Sequence, residues 1–206
     1  NRLGSVSPWC GMTGYDGLRT QLVSALQDDT IKAIGCYVDT PGGEVTGCFD
    51  LADQFREAAQ DKPVWAIVDG CCCSAGYALM HGATRITASS TGYVGSIGVI
   101  ASHWDYSKLL EEAGVKVSLI FAGAHKGDGN MYEPLPEAVR AEFQAEIDAV
   151  YGQFVDLVGR GGRLDAAAAR ATEARAYLAA DAVGLKLADA VQSPSDALAE
   201  LIESVS

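Results

Sequence analysis

Short apolar runs alternate along this 206-residue chain with stretches whose apolar residues recur at helical spacing. That alternation constrains the fold most, because a strand–helix–strand order buries both partners only around a largely parallel sheet. Leu18, Leu22 and Leu26 share one face of a helix expected over 16–28, and residues 32–38, continued by Asp39, read as a strand ending at Thr40-Pro41-Gly42-Gly43. A helix over 45–60 carries Phe49, Ala52 and Phe55, and a buried strand follows over 63–68. Ser74 then opens a helix, and strands are expected over 84–88 and 96–102, with Tyr93–Ser96 as their connection. A helix over 104–113 and a strand over 115–121 lead into a glycine-bearing loop. A long helix over 135–159 carries a stripe of Phe143, Ile147, Val150, Phe154 and Val158. Short helices over 165–172 and 180–184, a strand over 187–191 and a helix over 194–204 complete the chain. The expectation is an α/β fold, one domain over 1–206, with a core of ample size.

The net charge of −12 gives no basic face for nucleic acid, so no nucleic-acid partner is expected. No apolar run approaches the ~20 residues of a membrane span. The chain opens without Met or a secretory leader, which makes Asn1 an engineered or processing boundary. Of six cysteines (Cys10, Cys36, Cys48, Cys71, Cys72, Cys73), three are consecutive, a spacing that fits neither a zinc site nor a disulfide framework. They read as small buried thiols in a reducing compartment. No ligand set for a metal and no cofactor motif stands out.

Two segments carry the chemistry. Cys73-Ser74-Ala75-Gly76-Tyr77 places a serine among small residues where a strand passes into a helix. A serine there is often an N-cap, but Ala75 and Gly76 leave room at the hydroxyl, and a helix N-terminus favours the negative charge of acyl transfer. Gly123-Ala124-His125-Lys126 places a lysine in a loop behind the apolar run Ile120-Phe121-Ala122. A lysine can act as base for the serine if its surroundings keep it uncharged. His125 competes for that role, with His81 and His103 behind it. A histidine base would need a carboxylate, for which Asp128 or Asp105 is only an arbitrary choice. Asp39-Thr40-Pro41-Gly42-Gly43 lies where α/β proteins place ligands. It reads either as a tight turn or as half of an oxyanion hole, with Gly43 the better donor, Gly42 next, and the Ala75 N–H as second donor. Asp39 itself reads as a structural strand end.

These segments, in this order, resemble the S49 family of serine peptidases, the signal peptide peptidase A group. Asp39–Gly43 is similar to the family's oxyanion segment, Cys73–Tyr77 to its nucleophile segment, Thr91-Gly92-Tyr93-Val94-Gly95-Ser96-Ile97-Gly98-Val99 to a third, and Gly123–Lys126 to its base segment. The interval from Ser74 to Lys126 is the family's usual one. Gly11-Met12-Thr13-Gly14-Tyr15, Lys62–Ala66, Lys126–Asn130, Tyr132 and Leu135-Pro136 further resemble the capsid assembly proteases of lambda-like tailed phages. The resemblance covers roughly residues 12–192. It implies a ClpP/crotonase-like fold, a Ser74 nucleophile, a Lys126 base and a Ser96 that orients the lysine amine. It also implies a ring-like homo-oligomer and protein substrates such as scaffold, portal or the chain itself, met at proheads in a host cytoplasm or in a prophage host.

Two departures stand out. Ala75 replaces the family's usual glycine, and only Asn1 to Pro8 precede Cys10 where the family begins with a strand, so that strand is expected upstream of the given boundary. The membrane anchor of cellular members and the C-terminal scaffold-like extension of the phage proteases are missing too, so the resemblance implies an isolated, membrane-free protease domain. The competing readings are a cellular signal-peptide or membrane-fragment peptidase, a non-catalytic assembly module on the same fold, and a crotonase-type acyl-CoA enzyme.

Overall fold

The computed structural model describes residues 13–206, which divide into two compact units, one comprising residues up to Gly98 together with 153–206, the other Val99–Gly152. Cys10, the start of the Gly11–Tyr15 segment and any strand ahead of the first helix lie outside the described residues. Among those residues, no helix is long and apolar enough to cross a membrane.

The first unit is built on β2 (Val64–Cys73). Val64, Trp65, Ala66, Ile67 and Val68 are all buried, as a strand covered on both faces requires. β1 (Ile34–Thr40) runs parallel along one edge, Ile34 opposite Val64 and Val38 opposite Val68. The other edge holds two parallel strands in succession: β3 (Arg85–Ala88) against Trp65–Val68, then β4 (Tyr93–Gly95) against Cys71–Cys73. β5 (Ala176–Leu178) joins β4 antiparallel, and β6 (Ala190–Val191) joins β3 parallel.

Helices α1 (Tyr15–Gln27), α2 (Cys48–Asp61) and α3 (Ala75–Met80) follow the expected pattern. α2 buries Leu51, Ala52, Phe55 and Ala58 and packs on α3 and β2. α8 (Pro194–Glu203) packs on β1, β2 and β3, with Leu201 buried. It starts on a Ser193 cap that accepts from the Asp196 N–H, with Pro194 at the position where a missing donor costs nothing. Phe154, Val155, Leu157 and Val158, from the last turns of α5 (Glu137–Arg160), are buried in the same core, with the Phe154 ring 5.6 Å from Phe49. α6 (Ala166–Ala171) and α7 (Ala179–Gly184) complete the unit.

Three readings of the sequence need correction. β2 runs on to Cys73, well past the end expected at residue 68, so the cysteine triplet is strand. The pairing strand falls at Tyr93–Gly95, within the expected connection, whereas 96–102 forms no strand. The run 115–121, expected as a strand, is irregular. β propensity is largely the reward for packing beside neighbouring strands, and the second unit offers no strand to pair with. That unit holds α4 (Ser107–Glu112), the irregular run, a chain of turns over 122–129 and the first turns of α5.

A partly exposed polar tie closes the first unit. The Asp189 carboxylate accepts from the Ile86 N–H at 2.6 Å and from the Arg163 guanidinium at 2.7 Å, and Arg163 also donates to the His81 carbonyl at 3.0 Å. Removing the carboxylate strands a backbone donor and a largely buried cation together. Asp189→Ala is therefore expected to destabilise the protein by about 1–3 kcal/mol, read as a lower urea midpoint with an unchanged slope.

Candidate active site

The site grows from the end of β2. Opposite the two-residue step from Val38 to Thr40 in β1, β2 advances four residues, from Val68 to Cys72. The Asp39 side chain fills the irregularity by accepting the Cys71 N–H at 3.0 Å, which makes Asp39 the structural strand end expected of it. Cys72 and Cys73 are buried, Cys71 is half-buried, and burial pushes all three thiols up, Cys73 to about 11. They are poor nucleophiles at neutral pH.

The chain turns at Ser74, whose backbone sits at φ 52° and ψ −122°. This is a left-handed conformation rarely taken by residues other than glycine, and it costs about 1–3 kcal/mol. The Ser74 N–H donates to the Gly95 carbonyl at 3.0 Å, and its carbonyl accepts the Ala78 N–H at 2.9 Å, so both sides of the turn are tied. The Ser74 side chain makes no capping bond, which removes the simplest structural role for its hydroxyl. The Ala75 N–H lies in the first turn of α3, where backbone donors have no partner within the helix.

The Gly42 turn lies against this serine. Gly42 has φ 135°, and a Cβ there would lie 2.7 Å from Ser74 Cβ and 3.1 Å from Ser74 Oγ. Only glycine permits this approach. The Gly42 N–H donates to Thr40 Oγ1 at 3.2 Å, and the same hydroxyl donates to the Gly42 carbonyl. The Gly42 N–H is thus engaged within its own turn. Ser96 (φ 54°) follows Gly95, and Gly95 stands opposite Cys73, so the β2–β4 ladder carries Ser74 and Ser96 to the same end of the sheet. The Ser96 N–H donates to the Arg175 carbonyl at 2.9 Å. The structure therefore gathers Ser74, Ala75, Gly42, Gly43 and Ser96 in the first unit. Lys126 and His125 belong to the second.

In that second unit Lys126 is exposed, in the turns behind Gly123. His125 Nδ1 donates to the Asp128 carboxylate at 2.8 Å, so the histidine does have an acidic partner. Glu142, on α5, brings a third ligand-type atom to within 4.8 Å of the other two. This grouping escaped the sequence because Glu142 is distant along the chain. The remaining histidines bond to the backbone: His81 Nδ1 to the Ala78 carbonyl at 2.6 Å, His103 Nε2 to the Asn130 carbonyl at 2.8 Å. Burial lowers the His81 pKa. Two open grooves, of about 360 and 380 Å³, follow the 115–121 run and the 127–136 segment, and neither includes Ser74.

The hydrogen bond that His125 donates to Asp128 and the charges of Asp128 and Glu142 raise the His125 pKa above the ordinary histidine value. The pair therefore adds stability that is fully present below the ordinary value and is lost as pH rises through the raised one. An NMR titration of His125 is expected to give a midpoint above ~6.5, and Asp128→Asn should lower that midpoint.

Comparisons with known proteins follow the same lines. The family model described as Peptidase family S49 matches residues 56–206, and that described as Clp protease matches 12–91. The chain is 39% identical over 198 residues to the head-tail preconnector protein GP5 of Enterobacteria phage P21, covering 96% of this chain and 40% of that protein. It is 38% identical to the capsid assembly protease C of Escherichia phage lambda, covering 96% of this chain and 45% of that protein. It thus spans less than half the length of these two relatives. Among solved structures, the 1510-N membrane-bound stomatin-specific protease superposes with a TM-score of 0.55 at 17% identity, over 91% of this chain and 76% of that one. That likeness and the Clp match make this a ClpP-like α/β fold, and the match over most of the chain carries the assignment the motifs anticipated: the chain belongs to peptidase family S49.

Proposed function

We propose that this chain is the catalytic portion of a serine endopeptidase of phage head maturation, with Ser74 as nucleophile and Lys126 as general base. The observation that carries the reading is the Ser74 turn: a costly positive-φ backbone presents a hydroxyl that caps nothing, at a helix N-terminus, against a glycine turn. Uncharged Lys126 removes the Ser74 proton as Oγ attacks the scissile carbonyl carbon. The oxyanion lies between the N–H groups of Gly43 and Ala75, and Ser96 orients the lysine amine. The protonated lysine gives its proton to the leaving amine as the C–N bond breaks. The free amine then takes a proton from water as water attacks the acyl-enzyme, and returns it to Ser74 Oγ. The two phage relatives suggest head proteins as substrates: scaffold, portal or the enzyme's own chain.

The His125–Asp128 pair supports a second reading, a histidine base. A fluorophosphonate probe with mass spectrometry separates the cases. Ser74→Ala is expected to abolish labelling and peptidase activity, a loss on the order of 10⁴-fold or more. Lys126→Arg should be equally inert because guanidinium stays protonated, while His125→Ala should retain activity. An active Lys126→Arg enzyme that His125→Ala silences moves the base to histidine, and no labelling of the parent leaves the assembly-module reading.

The reading includes a homo-oligomer. Lys126 is exposed, and a base amine needs apolar cover to stay uncharged. The second unit presents a set of apolar side chains to solvent, including Ile100 at 88% and Ile120 at 98% exposure, with Trp104, Leu109, Val115 and Phe121. Such a concentration marks an interaction surface. If neighbouring chains supply each other's base, mixing Ser74→Ala with Lys126→Ala protein restores activity. A fully active monomer by light scattering refutes the oligomeric part.

A further inference from the structure

Tyr15 begins α1, yet it is only 5% exposed. A buried phenol requires an acceptor, and this one donates to the Glu44 carbonyl at 2.7 Å. Glu44 directly follows Gly43, the glycine whose N–H is the proposed oxyanion donor. The Tyr15 hydroxyl oxygen would lie 3.0 Å from a Cβ placed on Gly43, and Ala75 Cβ 3.7 Å from it. The phenol is therefore packed directly on that turn.

A second contact ties Tyr15 to the opposite wall. Its hydroxyl also lies beside the side chain of Cys48, the first residue of α2, which is 1% exposed. Cys48 Sγ in turn donates to the Ala75 carbonyl at 3.7 Å. One chain of contacts thus runs from the Glu44 carbonyl through Tyr15 and Cys48 to Ala75. It joins Glu44, the residue after Gly43, to Ala75, and the N–H groups proposed to hold the oxyanion belong to Gly43 and Ala75. Upstream, Thr40 Oγ1 fixes Gly42. The turn is pinned at both ends, and Tyr15 is a long-range pin, 29 residues from its acceptor.

We propose that Tyr15 is a positioning residue that sets the geometry of the oxyanion hole, holding the Gly43 turn through the Glu44 carbonyl and spacing it from Ala75 through Cys48. This rests on the reading of Ser74 as nucleophile. It gives the Gly14-Tyr15 part of the phage-like segment a task in catalysis. The task is preorganisation: a donor is useful only where the oxyanion will form, and a turn free to rock loses that alignment.

The test is Tyr15→Phe, which keeps the ring and deletes the hydroxyl. With a fluorophosphonate whose P=O occupies the oxyanion position, the maximal phosphonylation rate is expected to fall about 10-fold, short of the 10²–10³ that loss of a whole donor costs, at unchanged half-saturation. Amide exchange at Gly43 and Glu44 should accelerate, while Leu22 in α1 keeps its protection. Gly43→Ala, which crowds the phenol oxygen, should cost less in the Tyr15→Phe background than alone. A parental maximal rate, a loss confined to half-saturation, or strictly multiplicative effects of the two substitutions would overturn the proposal. If Tyr15→Phe does not fold, Cys48→Ala must lower the maximal rate in the same way, and an unchanged rate overturns it. If the parent protein is not labelled at all, the nucleophile reading fails. The exchange arm then still decides on Tyr15: faster exchange at Gly43 supports the hold on the turn, and unchanged exchange refutes it.

Discussion

The Ser74 backbone, at φ 52° and ψ −122°, is a conformation that a free chain would abandon. It persists because two hydrogen bonds, to Gly95 on one side and from Ala78 on the other, are both fixed by regular structure. The Gly95 bond exists because β4 pairs with the last residues of β2. The Ala78 bond is the first turn of α3. Strain of about 1–3 kcal/mol at one residue is small against the burial of β2, whose apolar side chains contribute roughly 1.5–3 kcal/mol each. The central strand therefore supplies both the stability that tolerates the strained turn and the ladder that aims it. Gly42 and Ser96 reach the same place by the same means, one at the end of β1 and the other at the end of β4.

This dependence explains which parts were legible in the sequence. Ser74, Gly42, Gly43 and Ser96 each stand just past a strand end, and the strands before the first two are apolar enough to be recognised. The extension of β2 was hidden because Gly70-Cys71-Cys72-Cys73 has the small-residue composition of a turn. It becomes strand through its neighbours, with Asp39 satisfying the Cys71 N–H and β4 closing the ladder. β4 and β5 are three residues each, too short for any period to register.

The run 115–121 failed in the opposite direction. Its composition is that of a strand and its structure is not, because strand formation needs an adjacent strand and its own unit provides none. The helix over 104–113 shrank to Ser107–Glu112 for a related reason: no residue of α4 is buried, and short helices without tertiary support are marginal in water. Tyr15 was legible only as a marker of lineage. Its bond spans 29 residues, and no local pattern encodes the meeting of a helix start with a turn beyond the first strand.

The two units divide the proposed chemistry. The first completes a packed core around the proposed nucleophile and oxyanion residues without help. The second carries the proposed base, is nearly coreless, and shows solvent a run of apolar side chains. A nucleophile and its oxyanion donors must be aligned to within fractions of an ångström, which a rigid sheet end provides. A lysine base has a looser geometric demand and a stricter environmental one, since its amine must be shielded from water to be uncharged. In the proposed reading these demands explain the division: rigidity is built into each chain, and shielding is left to association. In that reading the enzyme is idle when dilute and active where copies are concentrated, because only association shields the amine.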